Sequence, residues 1–196
     1  GASMGTTLAI GGLLFVWGRA NIETVYRRDG LAVVGLGWIL AGILGAIPYY
    51  WGGVFDLFID ALFEAVSGFT TTGATVLEDI EAVPKSLLLW RMISHWLGGM
   101  GIIVLFVAIF PQLGVGAKQL FRSEVPGPIT EGLRPKIKET ALALWKIYLV
   151  LTAAMVALLV AVGVAPFEAI CHAMSTIATG GFSLFNRSIG HLDRKS

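Results

Sequence analysis

A stretch rich in threonine and glycine interrupts an otherwise apolar chain and constrains the possible folds more than any other feature. It runs from Ser67 to Thr75, with the sequence Ser-Gly-Phe-Thr-Thr-Thr-Gly-Ala-Thr, and follows a short apolar segment. The 196-residue chain is 56% hydrophobic and 14% charged, which is typical of membrane proteins. Inside a bilayer, backbone that is not helical is tolerated only where protein buries it or where it lines a water-filled path. The stretch therefore predicts an irregular, protein-enclosed backbone segment within a membrane protein.

A second copy of the same pattern occurs later in the chain. Aligning Ala61–Gly73 with Ala169–Gly181 at a constant spacing pairs alanine with alanine twice, serine with serine and glycine with glycine. Internal repeats of this kind indicate a duplicated structural unit. Each copy ends in Thr-x-Gly, and consecutive backbone carbonyls in such a segment can replace the hydration shell of an ion. We interpret the copies as two arms of a potassium-selectivity filter; for each alone, the alternative is a helix end capped by glycine and threonine.

The lengths of the apolar runs predict an all-α membrane protein with transmembrane helices, re-entrant pore helices and filter loops. The runs Leu31–Gly53, Leu87–Phe110 and Thr140–Val164 are long enough to span a bilayer, and glycines at 98, 99 and 101 interrupt the second of them. The segments Val54–Phe69 and Pro166–Ala178 are too short. We predict that these are pore helices whose negative C-terminal ends point toward an ion path.

We expect four segments along the chain. Residues 1–30 are interpreted as the remnant of a tag, the end of a preceding transmembrane helix and a cytoplasmic loop. Residues 31–110 form a first complete helix–pore loop–helix repeat, and residues 111–139 form a cytoplasmic connection. Residues 140–196 form an incomplete second repeat of helix, pore helix, filter and tail. Lysine and arginine concentrate in the two segments assigned to the cytoplasm, so the positive-inside rule places both filters at the outer side.

Four motifs in order carry a family resemblance. They are Thr71–Thr75, His95–Ile102, Ser123–Pro128 and Ile177–Ser183. With them the chain resembles the membrane subunit of bacterial Trk-type potassium-uptake systems, the TrkH group of the Trk/Ktr/HKT superfamily. The resemblance implies four successive helix–pore loop–helix repeats around a single pore, of which this chain covers less than half.

The resemblance also implies site residues. Potassium would be coordinated by backbone and threonine oxygens at Thr71, Thr72, Thr179 and Gly180. The complete predicted filter consists of Thr71, Thr72, Gly73, Ala74, Thr75, Thr179, Gly180, Gly181, Phe182 and Ser183. Sodium-permeable members of the superfamily carry serine at the position of Gly73, so the glycine implies a preference for potassium.

Several ionisable or small residues in the membrane segments have two interpretations each. Glu64 is a functional candidate because it is ionisable in a membrane segment, but we favour a supporting role behind the filter, with His172 at the matching position. Arg91 is interpreted as an interfacial anchor that snorkels, with a role near the pore mouth as the alternative. His95 is predicted to be an interfacial or packed residue rather than a proton relay. Gly98–Gly101 is predicted to allow close helix packing rather than to act as a hinge.

The predicted function is potassium uptake by passive selective conduction, as part of a four-repeat, channel-like pore. The alternative is a non-conducting membrane fragment or assembly scaffold that carries two filter arms without closing a pore. We find no catalytic constellation in the sequence and predict no organic cofactor, only the potassium ion. The expected partners are membrane lipid, a second copy in a homodimer and a cytoplasmic nucleotide-binding regulatory subunit, but not nucleic acid. The expected location is the bacterial inner membrane, with several spans.

Overall fold

The computed structural model describes residues 27–109 and 137–188, together with residues 12 and 190. Five helices form the regular structure of these residues. They are α1 (Arg27–Trp51), α2 (Phe58–Phe69), α3 (Lys85–Ile109), α4 (Ile137–Ala161) and α5 (Pro166–Ile177). The described residues contain no β-strand, and the predicted all-α fold class is confirmed. Most of the predicted N-terminal segment, residues 1–30, and of the connection, residues 111–139, lies outside the described residues.

Three of the helices are long enough to cross a bilayer. Helices α1, α3 and α4 have 25 residues each, which corresponds to roughly 37 Å against a hydrocarbon core of about 30 Å. Among the described residues, the segments Val34–Trp51 and Ala141–Ala161 combine spanning length with high apolarity. Large apolar side chains of these helices, such as Leu36 and Leu158, are more than half exposed. A lipid-facing surface accounts for that exposure.

Helices α2 and α5 are short, as predicted. Each has 12 residues, or roughly 18 Å, and each carries an acidic residue in its first turn, where the helix dipole favours it. The predicted start of α2 at Val54 is wrong, because α1 ends in a glycine cap. Gly53 has a φ of 66°, and the amide of Val54 donates to the carbonyl of Tyr49 at 3.2 Å. Val54 therefore belongs to the end of α1, and α2 begins at Phe58.

Helix α3 lies between the other four helices and contacts all of them. A Cβ atom on Gly98 would collide with the backbone carbonyl of Phe69 at the end of α2. A Cβ atom on Gly99 would lie 3.0 Å from Cα of Ala178, which follows α5. The helix runs through these glycines without a break, and the predicted packing role is confirmed. The glycines let α3 approach the C-terminal ends of both short helices.

The apolar core joins the two halves of the described chain. Its larger cluster takes residues from the loop before α3, from α3, from α5 and from the segment after α5. The buried members are Ile80, Val83, Leu88, Met92, Cys171, Phe182 and Leu184. A smaller cluster of Ala46, Tyr49, Ala61 and Ala65 holds α1 against α2, with the small residues that close helix packing in membranes requires. The segment after α5 is thus fixed to the first half of the chain.

Candidate functional site

The two predicted filter arms follow the ends of α2 and α5 and share an unusual backbone geometry. Thr71 and Thr179 have φ angles of 55° and 54°, and Gly73 and Gly181 have φ angles of 76° and 90°. The left-handed region is a genuine outlier for a β-branched residue and costs roughly 1–2 kcal/mol. The same outlier therefore occurs at both matched positions of the repeat, where glycine would be free of strain.

Some of this geometry is a helix cap. The amides of Thr71 and Thr72 each donate a hydrogen bond of 3.0 Å to a carbonyl in the last turn of α2. The matched amides of Thr179 and Gly180 make the same two bonds to α5. This pattern is a Schellman motif, which needs one left-handed residue just past the helix. The predicted alternative of a capped helix end thus accounts for the two left-handed threonines. It does not account for Gly73 and Gly181, which lie beyond the motif.

A serine in the last turn of each short helix holds the far end of its arm. The hydroxyl of Ser67 donates to the carbonyl of Ala74 at 2.5 Å, and the hydroxyl of Ser175 donates to the carbonyl of Phe182 at 2.6 Å. These residues occupy matched positions in the two copies. Each arm is therefore tied to its helix on both sides of its glycine.

Some backbone carbonyl groups of the arms accept no hydrogen bond within the described residues. Within the portion of the chain that the structure describes, the carbonyls of Thr71, Thr72 and Thr179 accept no hydrogen bond from backbone or side chain. Threonine hydroxyls line the same segments, and Thr70 and Thr72 share a hydrogen bond between their hydroxyls at 2.8 Å. Oxygen atoms of this kind are the ligands of alkali cations in selective pores.

The two arms lie directly against each other. A Cβ atom on Gly73 would collide with the carbonyl oxygen of Gly180 and would lie 3.5 Å from Cα of Gly181. On its other side, Gly180 lies against the imidazole of His95. His95 is fully buried, with its ring centroid 4.0 Å from that of Phe182. The packed interpretation of His95 is confirmed, and glycine is required at both contacts for reasons of space.

Glu64 holds the C-terminal end of the first arm. Its carboxylate is fully buried and accepts hydrogen bonds from the hydroxyl of Thr75 at 3.0 Å and from the amide of Val76 at 3.2 Å. It also accepts a hydrogen bond from Nε of Arg91 at 2.6 Å, which completes an ion pair. The position behind the arm is the one that we predicted for a supporting residue.

Arg91 is buried, and the predicted snorkelling anchor is wrong. Its side chain is 1% exposed, because Glu64 neutralises its charge inside the protein. Its Nη1 atom donates to the carbonyl of Ser183 at 2.8 Å, and its Cζ atom lies 3.6 Å from the ring centroid of Phe182. Opposite charges on two membrane segments of one repeat were the signal that could have revealed the pair.

His172 occupies the position matched to Glu64 but makes a different contact. It is buried, and its ring stacks on that of Phe185 with centroids 6.1 Å apart and planes inclined by 26°. Phe185 follows the second arm. The matched positions therefore face matched regions of the two arms through an ionic contact in one copy and an aromatic contact in the other.

Asn186 joins the loop between α2 and α3 to the end of the second arm, a link that the sequence did not reveal. Its amide group donates to Asp79 at 2.8 Å and its side-chain oxygen accepts from the amide of Ile80 at 2.8 Å. Its backbone amide donates to Glu81 at 3.3 Å. The hydrogen bond from Asn186 lowers the pKa of the Asp79 carboxyl below its ordinary value. The acidic loop thus helps to fix the second arm.

Comparison with known proteins gives consistent matches. Residues 4–195 match the family described as TrkH, cation transport protein. The chain is 46% identical over 188 residues to a Trk system potassium uptake protein TrkH of Salmonella typhimurium, covering 95% of this chain and 39% of that protein. It is 44% identical over 193 residues to the TrkH protein of Halomonas elongata, covering 97% of this chain and 40% of that protein.

A solved structure agrees with these matches. The crystal structure of the potassium transporter TrkH from Vibrio parahaemolyticus superposes with a TM-score of 0.82 at 39% identity, covering 98% of this chain and 38% of that one. The chain thus spans about two fifths of the length of the curated relatives that it matches. It belongs to the TrkH family of cation transport proteins.

Proposed function

We propose that the complete protein takes up potassium by passive, selective conduction and that this chain supplies two arms of its filter. The names of the relatives, potassium uptake protein and potassium transporter, support the choice of ion. The contact between two arms of matched geometry at Gly73 and Gly180 is the observation that carries the proposal. Capping of two separate helices does not by itself require the segments after them to be in contact.

In this mechanism, oxygen atoms of the arms replace the water around a dehydrating potassium ion. The ligands are backbone and threonine oxygens of Thr71, Thr72, Thr179 and Gly180. Both short helices end at the arms, so the negative ends of their dipoles favour a cation there. Gly73 and Gly181 keep side chains out of the path, and the remaining filter positions fix the arms from behind.

The same proposal extends to the surroundings of the protein. We place it in the bacterial inner membrane as a multi-pass protein surrounded by lipid, forming a homodimer. Because the relatives are named as members of a Trk system, we also propose a cytoplasmic nucleotide-binding regulatory subunit as a partner. Chemical cross-linking in native membranes, followed by mass analysis, tests both protein partners; recovery of monomer alone would contradict them.

Substitution of Gly73 by serine tests the filter assignment. A side chain there would collide with the backbone carbonyl of Gly180 and would be strained by the φ of 76°, so we expect a reduced preference for potassium over sodium together with a loss of stability of about 2 kcal/mol. The measurement is rubidium uptake into liposomes that contain the complete protein, with sodium as competitor. Wild-type discrimination in a normally folded Gly73→Ser variant would show that Gly73 does not line the filter.

Gly53→Ser is the matched control. Gly53 also has a positive φ, 66°, but a Cβ atom there would meet nothing within 4 Å among the described residues. It lies between α1 and α2, away from the arms. We expect some strain but wild-type discrimination between ions. Absence of rubidium uptake by folded wild-type protein would instead favour the non-conducting scaffold.

A further inference from the structure

One buried ion pair contacts both filter arms at matched positions. Glu64 accepts the hydrogen bond of Thr75 at the C-terminal end of the first arm, at 3.0 Å. Arg91 donates to the carbonyl of Ser183 at 2.8 Å, and Ser183 is the residue matched to Thr75 in the second copy. Because Glu64 and Arg91 are only 2.6 Å apart, three short hydrogen bonds in series connect the C-terminal ends of the two arms.

The burial of this pair argues that it serves more than stability. Both side chains are at most 1% exposed, and removal of two charges from water costs about as much as their attraction returns. Apolar side chains of similar volume would stabilise such a site equally well. What apolar side chains cannot provide is a fixed orientation for a backbone carbonyl, and arginine provides this through the rigid fork of its guanidinium.

The second arm depends on this pair because the acid is not repeated. The residue matched to Glu64 is His172, so α5 presents no carboxylate to its own arm at that position. Arg91 reaches the second arm from α3 and contacts two consecutive residues of it. It binds the carbonyl of Ser183 and covers one face of the Phe182 ring, with Cζ 3.6 Å from the ring centroid.

We infer that Arg91 is a positioning residue for ion selectivity, which sets the separation of the two arms by holding the second arm against Glu64. The inference rests on the proposed filter function. A ring of carbonyls prefers potassium when its oxygens keep a spacing or field strength that the smaller sodium ion does not satisfy. An arm released from Arg91 is free to move inward and to accept the smaller ion.

Two variants of the complete protein test the inference in liposomes. Arg91→Lys keeps a charge for Glu64 but lacks the fork that also reaches Ser183. The double variant Glu64→Gln, Arg91→Met removes both charges and so leaves none buried alone. For both we expect the potassium-over-sodium preference, measured by sodium competition against rubidium uptake, to fall about tenfold. A positioning role predicts that the preference falls by a larger factor than rubidium uptake without sodium, whereas a purely structural defect would lower uptake at every sodium concentration without changing the preference.

Arg187→Met is the matched control, because Arg187 is an exposed arginine just after the second arm, and it should keep wild-type preference. Wild-type preference in whichever Arg91 variant is monodisperse in detergent would overturn the inference. Failure of both variants to fold would also overturn it, because the pair would then serve the fold. Gly73→Ser, measured in parallel, separates the two proposals: if it alone changes the preference, the filter stands without Arg91; if it leaves the preference unchanged, the filter assignment itself is wrong.

Discussion

The two arms have nearly the same backbone but different supports. Each has a left-handed threonine, a glycine with positive φ and a serine that binds the carbonyl after that glycine. The first arm is supported by a carboxylate from its own short helix, whereas the second arm is held by an arginine from α3 and by an asparagine bound to the loop between α2 and α3. The duplicated chain therefore keeps the backbone geometry and changes the side chains that secure it.

We expect the largest loss of stability when the ionic support of the first arm is broken. Glu64→Gln leaves the charge of Arg91 buried without its counter-ion, which typically costs about 3–5 kcal/mol. His172→Gln removes an aromatic stack, worth about 0.5–1.5 kcal/mol, and should be milder. Thermal unfolding of both variants in detergent, followed by size-exclusion chromatography, compares them. Equal losses would mean that the matched positions contribute equally after all.

The next effect concerns the contact of α3 with the ends of the two short helices. Gly98→Ala places a methyl group against a backbone carbonyl of the first half, which cannot move easily, so we expect a loss of about 2 kcal/mol. Gly99→Ala would meet the hydroxyl of Tyr148 at 2.8 Å and Cα of Ala178 at 3.0 Å, which is a smaller overlap than the one with the carbonyl oxygen at Gly98. It should therefore cost less. A greater loss for Gly99→Ala in the same unfolding assay would reverse the assigned order of the contacts.

A smaller effect of opposite sign separates capping from ion binding. Thr71→Gly relieves a left-handed β-branched residue and should stabilise the fold by about 1 kcal/mol. It also removes a threonine hydroxyl from the proposed path, so rubidium uptake should become slower or less selective. Thr179→Gly should behave alike if the arms are equivalent. A variant that is more stable and conducts normally would indicate that its threonine is a helix cap and no more.

The smallest loss of stability is expected when the hydrogen bonds of Asn186, after the second arm, are removed. Asn186→Ala removes the acceptor for the amide of Ile80, a bond worth about 1 kcal/mol. It also removes the donor that lowers the pKa of Asp79. A lowered pKa contributes stability above the ordinary carboxyl pKa, and this contribution disappears as the pH falls through the lowered value.

The pH dependence provides the check on that support. The difference in melting temperature between wild type and Asn186→Ala should be largest at neutral pH and should shrink in strongly acidic solution. When both proteins also carry Asp79→Asn, the difference in melting temperature caused by Asn186→Ala should depend less on pH. A difference that stays constant with pH would place the effect of Asn186 on Ile80 alone.

Sequence patterns predicted the helices and the arms because these depend on local signals. The lengths of the apolar runs fixed the long and short helices, and the aligned serine, threonine and glycine residues located both arms. The start of α2 was missed because a glycine cap keeps Val54 in the end of α1. The glycines of α3 were correctly expected to allow close packing, but their partners, Phe69 and Ala178, are distant in sequence and were not predicted.

The supports behind the arms depend on contacts across long stretches of chain, and the sequence marks them weakly. Glu64 was predicted to support the filter, but Arg91 was expected at the membrane interface, since a single arginine in an apolar run more often snorkels. Its second partner, Ser183, lies far along the chain and contributes a backbone carbonyl. A backbone acceptor leaves no trace in the sequence, so only the packing of α3 against the second arm reveals it.

The placement of α3 has a consequence for recombination between relatives. Helix α3 closes the first half and also carries Arg91, which binds the second arm, and Gly99, which contacts Ala178 just before that arm. A chimaera joined in the connection between α3 and α4 would place each second arm beside a foreign α3. Exchange of the two halves therefore preserves these contacts only when the incoming segment provides suitable partners for residues 91 and 99. The residues that must be exchanged together belong to an interface between the two copies of the repeat. The limits of that interface do not coincide with the end of either copy.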